Sequence, residues 1–267
     1  MNNQIKLVAT DMDGTFLHDD MSFDVARFKK ILSRMNKVGC KFVVASGNQY
    51  YQLRDFFPGY YDELSFVAEN GAFVKDRDEL IFAADISKDT VSFVIDICRR
   101  YSDIHLLLCG LNSAYVQRGE SQTFFDFSAK YCHRIAWVDD LKMVKDQFLK
   151  FTAIVPDELT QHYYDLFLNQ LKGEIVPTSS GHGSIDLIVS GCHKASGLKR
   201  LIERWNITPE QCLAFGDGGN DIEMLKYCGL SYAVDNAPQN VKDAAKSICQ
   251  SNNDDGVLVT LEKVFDF

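Results

Sequence analysis

Two aspartates one residue apart, Asp11 and Asp13, follow the apolar run Ile5-Lys6-Leu7-Val8-Ala9-Thr10 and precede Gly14 and Thr15. A run of this length and continuity reads as a strand buried on both faces, so the carboxylates fall at its C-terminal end. Open α/β sheets bind ligands at that end. A carboxylate nucleophile working with a second carboxyl group that carries protons needs these residue types close together, and Gly14 permits the tight turn this requires. Taken alone, the same residues also read as an acidic turn after a strand.

Other strand-like runs end in polar clusters as well. Residues 40–45 lead into Ser46-Gly47-Asn48, and residues 212–215 lead into Gly216-Asp217-Gly218-Gly219-Asn220-Asp221, while Gly191-Cys192-His193-Lys194 opens a helix between them. Asp217 and Asp221 bring two further carboxylates to the same sheet edge. Like charges that close do not all stay ionised without a counter-cation, and a hard cation prefers oxygen ligands, so Mg²⁺ is the expected cofactor. Asp221 reads equally well as a helix-capping acid.

In this order and spacing the four blocks resemble the signature of the haloacid dehalogenase (HAD) superfamily of phosphohydrolases, over the length of the chain. Segments 42–57, 66–72 and 193–205 resemble its Cof-type branch, which carries a large cap, and the run 41–52 resembles, within that branch, the SupH subgroup of bacterial sugar phosphatases. The resemblance implies that Asp11 attacks phosphorus to form an aspartyl-phosphate, and that Asp13 protonates the leaving alcohol and later deprotonates water. It makes Asp11, the backbone carbonyl of Asp13 and Asp217 the Mg²⁺ ligands, with Asp221 orienting them or pairing with Lys194. Ser46, the amide of Gly47, Lys194 and Asn220 are the implied phosphate-binding groups. Many relatives carry Arg where Asn48 stands, so no phosphate-binding role passes to Asn48.

Composition narrows the partners. A net charge of −9 over 267 residues argues against nucleic acid or an anionic membrane as a partner and requires a phosphate site to be positive locally. The expected partner is a small phosphorylated molecule. The eight cysteines form no Cys-x-x-Cys pair and read as reduced core thiols. The six histidines lack zinc-site spacing. No apolar stretch approaches the roughly 18 residues of a membrane helix, and a cytoplasmic location is expected. Oligomeric state is not legible.

The elements that must position these groups alternate strand and helix from the N-terminus: a helix near residues 23–38, another near 49–57, a strand near 64–68, and a hairpin turn at Glu69-Asn70-Gly71. Residues 83–188 then change pattern, with helices at 90–100, 122–131 and 158–171 and strands at 105–109, 114–117, 134–138, 149–155, 174–177 and 185–189. This is an inserted α+β unit, expected to carry its helices on one face of an antiparallel sheet and to act as a cap. Strand–helix alternation returns at Ala195, and Thr208-Pro209-Glu210-Gln211 offers a helix start. The expected fold is therefore α/β: a Rossmann-like parallel-sheet core of residues 1–82 and 189–267 with the insertion between. Few contacts are expected across the two crossings, which would let the cap move. His182, in Gly181-His182-Gly183-Ser184, and Asn70 are candidates for substrate choice.

The function expected is Mg²⁺-dependent hydrolysis of small phosphorylated metabolites, sugar phosphates first. A phosphomutase and a non-catalytic sensor of phosphorylated metabolites are the competing readings. Asp11, Asp13, Lys194 and Asp217 together favour turnover.

Overall fold

A computed structural model describes residues 5–171, 173–181 and 183–265. Eight strands form the first sheet: β1 (Leu7–Thr10), β2 (Lys41–Ala45), β3 (Ser65–Ala68), β4 (Phe73–Asp76), β5 (Glu79–Ala83), and, after a long excursion, β12 (Cys212–Gly216), β13 (Leu230–Val234) and β14 (Ser247–Cys249). Their spatial order is β14-β13-β12-β1-β2-β3-β4-β5. From β14 to β3 all neighbours are parallel, and β4 and β5 are added antiparallel at the edge. Strand β1 is wholly buried, as its unbroken apolar run requires. The chain runs outward from β1 through β2 and β3, then returns to β12 on the other side of β1. That reversal makes the C-terminal end of β1 the switch point where open α/β sheets bind ligands.

The helices of this layer are α1 (Val25–Lys37), α2 (Tyr50–Asp55) and, late in the chain, α6 (Lys194–Trp205), α7 (Ile222–Tyr227), α8 (Gln239–Lys242) and α9 (Gly256–Val264). Asp24 caps α1 by accepting from the amide of Arg27, and Phe28, Ile31, Leu32 and Met35 form its buried stripe at helical spacing. Helix α6 begins with a reciprocal cap: the His193 ring accepts from the Ser196 amide, and the Ser196 hydroxyl accepts from the His193 amide. The expected helix start is present, with Pro209 in first position and the Gln211 side chain accepting from the Thr208 amide, but it opens only a 3₁₀ turn (Pro209–Gln211) because β12 begins immediately afterwards at Cys212.

Between β5 and β12 lies a second sheet, with β6 (His105–Gly110), β7 (Ala114–Gln117), β8 (Ile135–Val138), β9 (Phe148–Ile154), β10 (Ile175–Gly181) and β11 (Ser184–Val189) in the order β10-β11-β9-β6-β7-β8. All its neighbours are antiparallel except β7 and β8. Alternation divides its side chains cleanly. Leu106, Leu108, Phe151, Ala153, Ile185 and Leu187 pack under α3 (Lys88–Cys98) and α5 (Thr160–Gln170). On the opposite face Leu107 and Cys109 meet Phe124 of α4 (Gln122–Ala129), so the helices do not all share one face. Lys150, Thr152 and Asp186 also belong to that second face, which looks toward the first sheet across a cavity.

The α2 region of the first layer bonds to the segment before β8 in the inserted unit, away from the two chain crossings. Gln49 reads the backbone of Arg134 in both directions, donating to its carbonyl and accepting from its amide at 2.8 Å each. His133 meets Asp55 at 2.8 Å. The Glu69-Asn70-Gly71 turn also differs from the expected two-residue connection, since four residues separate β3 from β4 and three in succession have positive φ: 51°, 53° and 86°. Asn-Gly tolerates such angles, whereas Glu69 does so at a cost of about 1–3 kcal/mol. Gly71 has a further constraint, because a Cβ there would lie 2.3 Å from the carbonyl oxygen of His193 at the start of α6. All eight cysteines are free thiols, and all but Cys249 are buried. No described helix is long and apolar enough to cross a membrane.

Candidate active site

Asp11 leaves β1 with its amide still bonded to the Phe215 carbonyl, so the β1–β12 ladder holds the backbone of the candidate nucleophile. Its Oδ1 accepts from Nζ of Lys194, the first residue of α6, and the same ammonium donates to Oδ1 of Asp221 at 2.6 Å. Lys194 and Asp221 are fully buried, and Asp11 nearly so. The other Asp221 oxygen accepts from the amides of Asp217 and Gly218 at 3.1 and 2.9 Å. The Asp221 carboxylate is thus occupied by protein donors and fixes the loop after β12. Asp217 accepts from the Thr15 hydroxyl at 2.6 Å, and Gly14 must be a glycine here: a Cβ would meet the Asp217 carboxylate at 2.7 Å.

The electrostatics follow from one ammonium among several carboxylates. Burial drives the Asp11 pKa well up, Lys194 opposes this, and Asp221, Asp217 and Asp13 push it higher. Asp217 is raised to about 6, chiefly by burial. Burial disfavours the charge of Lys194, but Asp11 and Asp221 outweigh it and hold the ammonium protonated. One cation cannot balance this set. Asp11, Asp217 and Asp221 also offer carboxylate oxygens within 4.8 Å of one another, an all-oxygen donor set suited to a hard divalent ion. With Asp221 already bonded to Lys194 and two amides, Asp11 and Asp217 are the carboxylates left to ligate.

Asp13 receives a 2.6 Å hydrogen bond from the Asn48 amide on Oδ2, while its buried Oδ1 has no partner among the described residues. Burial raises its pKa, and the Asn48 bond partly opposes the rise. Asn48 therefore serves the candidate proton carrier. Its own amide also donates to the Ser46 hydroxyl at 3.1 Å. Ser46 and Gly47 lie in the loop before α2, which starts only at Tyr50.

Asn220 and Asn70 meet directly, with the Asn220 amide donating to Asn70 Oδ1 at 3.1 Å. Asn70 in turn donates to Asp186 Oδ2 at 2.6 Å. The structure thus puts Asn70 at a junction between the sheets. His182 lies outside the described residues. Asp11, Asp13, Ser46, Gly47, Asp217 and Asn220 all line one cavity of about 400 Å³, closed from the opposite side by Lys150, Thr152, Asp186, Leu107 and Tyr131. Lys194 and Asp221 sit behind it.

Asn48, Lys150 and Asp186 are among the residues of this assembly that carried no assignment in the sequence. A lone lysine in the apolar strand Phe148–Ile154 and a lone aspartate in Ser184–Val189 were the available signals, since buried ionisable groups need a reason.

Residues 8–261 match the family model of haloacid dehalogenase-like hydrolases. The chain belongs to this family. It is similar to the 5-amino-6-(5-phospho-D-ribitylamino)uracil phosphatase YbjI of Escherichia coli, at 41% identity over 97% of this chain and 96% of that protein. It also resembles a Bacillus subtilis phosphatase of the same designation, YitU, at 25% identity over 99% of both chains. Among solved structures, that of SMU.1108c from Streptococcus mutans superposes with a TM-score of 0.94 at 35% identity, covering 98% of this chain and all of that one. The HAD fold of this chain and its place among hydrolases are those the four sequence blocks implied.

Proposed function

We propose that this chain is a Mg²⁺-dependent phosphoric monoester hydrolase acting on small phosphorylated metabolites, sugar phosphates among them, through an aspartyl-phosphate on Asp11. The observation that carries the reading is the convergence of Asp11, Asp13 and Lys194 at the end of β1 beneath a cavity of metabolite size. Lys194 holds one Asp11 oxygen, and the other attacks phosphorus. The P–O bond to the leaving group breaks as Asp13 gives that oxygen its proton. Asn48 donates to Oδ2 of Asp13 and so orients the carboxyl that carries the proton. Asp13 then takes a proton from water, whose oxygen attacks phosphorus, and the Asp11–phosphoryl bond breaks to release inorganic phosphate.

Ser46, the Gly47 amide and Asn220 donate to the phosphoryl oxygens, and Lys194, from behind Asp11, balances their charge. Asp11, Asp217 and the Asp13 carbonyl would hold Mg²⁺, which would supply positive charge to the phosphoryl group; Asp221 keeps Lys194 and the Asp217 loop in register. Residues 1–82 and 189–267 form the catalytic core, and residues 83–188 form a cap that contacts the leaving group. Asp11, Asp13, Lys194 and Asp217 together favour turnover over a sensor role, and inorganic phosphate release without a bisphosphate activator separates hydrolysis from a phosphomutase.

A second substrate reading has its own support. The cavity lining sets polar Lys150, Thr152 and Asp186 beside apolar Leu107, Phe127 and Tyr131, which suits a polyol bearing a flat ring. The ribitylaminouracil phosphate named for the E. coli relative has that shape. Phosphate release across a panel of sugar phosphates, that compound, pyridoxal phosphate and flavin mononucleotide tests both readings. Release from none of them, with Mg²⁺ present, contradicts the phosphatase assignment.

A further inference from the structure

Lys150 is buried in β9, inside the second sheet, yet it donates at 2.8 Å to the carbonyl of Gly47, in the first sheet's phosphate-binding loop. Its ammonium also donates to Asp186 Oδ1 at 3.0 Å. Asp186 is buried too, accepts from Thr152 at 2.7 Å, and on its other oxygen holds Asn70, which holds Asn220. From one buried ion pair, two chains of hydrogen bonds therefore reach the two loops whose donors face the phosphoryl group. We propose that Lys150 and Asp186 are positioning residues that complete the phosphate-binding surface: Lys150 fixes the Gly47 peptide, and Asp186, through Asn70, aims the Asn220 amide.

This inference rests on the phosphatase reading and adds a consequence to it. A cap that only selects the leaving group is dispensable for a small activated ester, whereas a cap that aims phosphate donors is required for every substrate. The geometry also explains the strained turn at Glu69-Asn70-Gly71. Positive φ at Asn70 directs one side-chain amide to both Asp186 and Asn220, and Gly71 lets the turn sit against the start of α6.

Asp186→Asn tests the idea with little change of shape. The new NH₂ faces the Asn70 donor, and if Asn70 flips to accommodate it, the bond to Asn220 is lost instead. The expected result is a fall in kcat of about 10- to 100-fold on both 4-nitrophenyl phosphate and a sugar phosphate, with inorganic phosphate binding weakened by a similar factor in calorimetry with Mg²⁺. Lys150→Arg, which retains a donor, should recover more activity than Lys150→Met. A loss confined to the sugar phosphate overturns the proposal in favour of substrate selection. A lowered Tm with unchanged kcat and phosphate affinity overturns it in favour of a structural role. Phosphate binding needs no turnover, so the calorimetric arm decides the proposal even if the parent proves not to hydrolyse esters.

Discussion

Two buried lysines, each between two carboxylates, lie on opposite sides of the cavity. Lys194 stands between Asp11 and Asp221, and Lys150 between Asp186 and Glu69. Burial opposes the charge on both, and in both the neighbouring carboxylates prevail and raise the pKa. The difference lies in the carboxylates. Asp221 is saturated by Lys194 and two amides, which leaves Asp11 as the group with a free oxygen, open to the cavity. Around Lys150 it is Asp186 that is saturated, while Glu69, 3.4 Å from the ammonium, keeps a buried oxygen with no hydrogen bond among the described residues. Each lysine with its two carboxylates thus leaves something different: on one side an Asp11 oxygen facing the cavity, the proposed nucleophile, and on the other the proposed strut with a surplus carboxyl. A buried ion pair has little net worth by itself; what it positions decides its role.

The sharpest way to break this contrast is Asp11→Asn. The amide nearly preserves shape but neither attacks phosphorus nor ligates a cation well, so turnover should vanish while far-UV circular dichroism stays as in the parent. Removing the divalent ion should have nearly as large an effect: excess chelator should abolish phosphate release, Mg²⁺ should restore it, and Ca²⁺, which tolerates looser carboxylate geometry, should inhibit. Full turnover in chelator would overturn the metal assignment.

Smaller effects separate the lysines. Lys194→Met should lower kcat on all substrates by about 10²- to 10³-fold, the cost of losing the cation that holds Asp11 and balances charge at the transferring group. Lys150→Met should cost about 10- to 100-fold, because it acts through Gly47 rather than on the phosphoryl group. Equal losses would erase the distinction between the two sites.

The smallest effect concerns Glu69, whose pKa burial raises from 4.5 to about 7 despite Lys150. Between those values the folded chain keeps a proton that the unfolded chain has released, so this group makes stability fall as pH rises through that window. Glu69→Gln should remove the fall, worth about 3 kcal/mol at most, so thermal melts of the variant should change less from pH 5 to pH 8. Parallel pH profiles for parent and variant would show that Glu69 does not titrate there.

The core site was legible because its chemistry stands next to its scaffold in the chain. Each motif follows an apolar run, so Asp11, Ser46 and Asp217 could be placed at strand ends before any coordinate. Most elements of the inserted unit were also readable, the strand Ala114–Gln117 residue for residue, because alternation and helical spacing are local signals. The second lysine was not. Lys150 meets Gly47 across 103 positions and Asn70 meets Asp186 across 116, and nothing local reports which face of β9 turns toward which loop. The hairpin β4–β5 escaped for a different reason: its turn uses Arg77 at φ 54°, not the glycine or asparagine that marks such turns.

The central claim, that Asp11 carries the phosphoryl group between leaving group and water, has a direct test in the stereochemical course at phosphorus. A thiophosphate monoester made chiral with oxygen isotopes is hydrolysed in isotopically labelled water, and the configuration of the released thiophosphate is read. Two successive displacements, first by Asp11 and then by water, predict retention of configuration. Inversion would mean that water attacks the substrate directly, and would contradict the account.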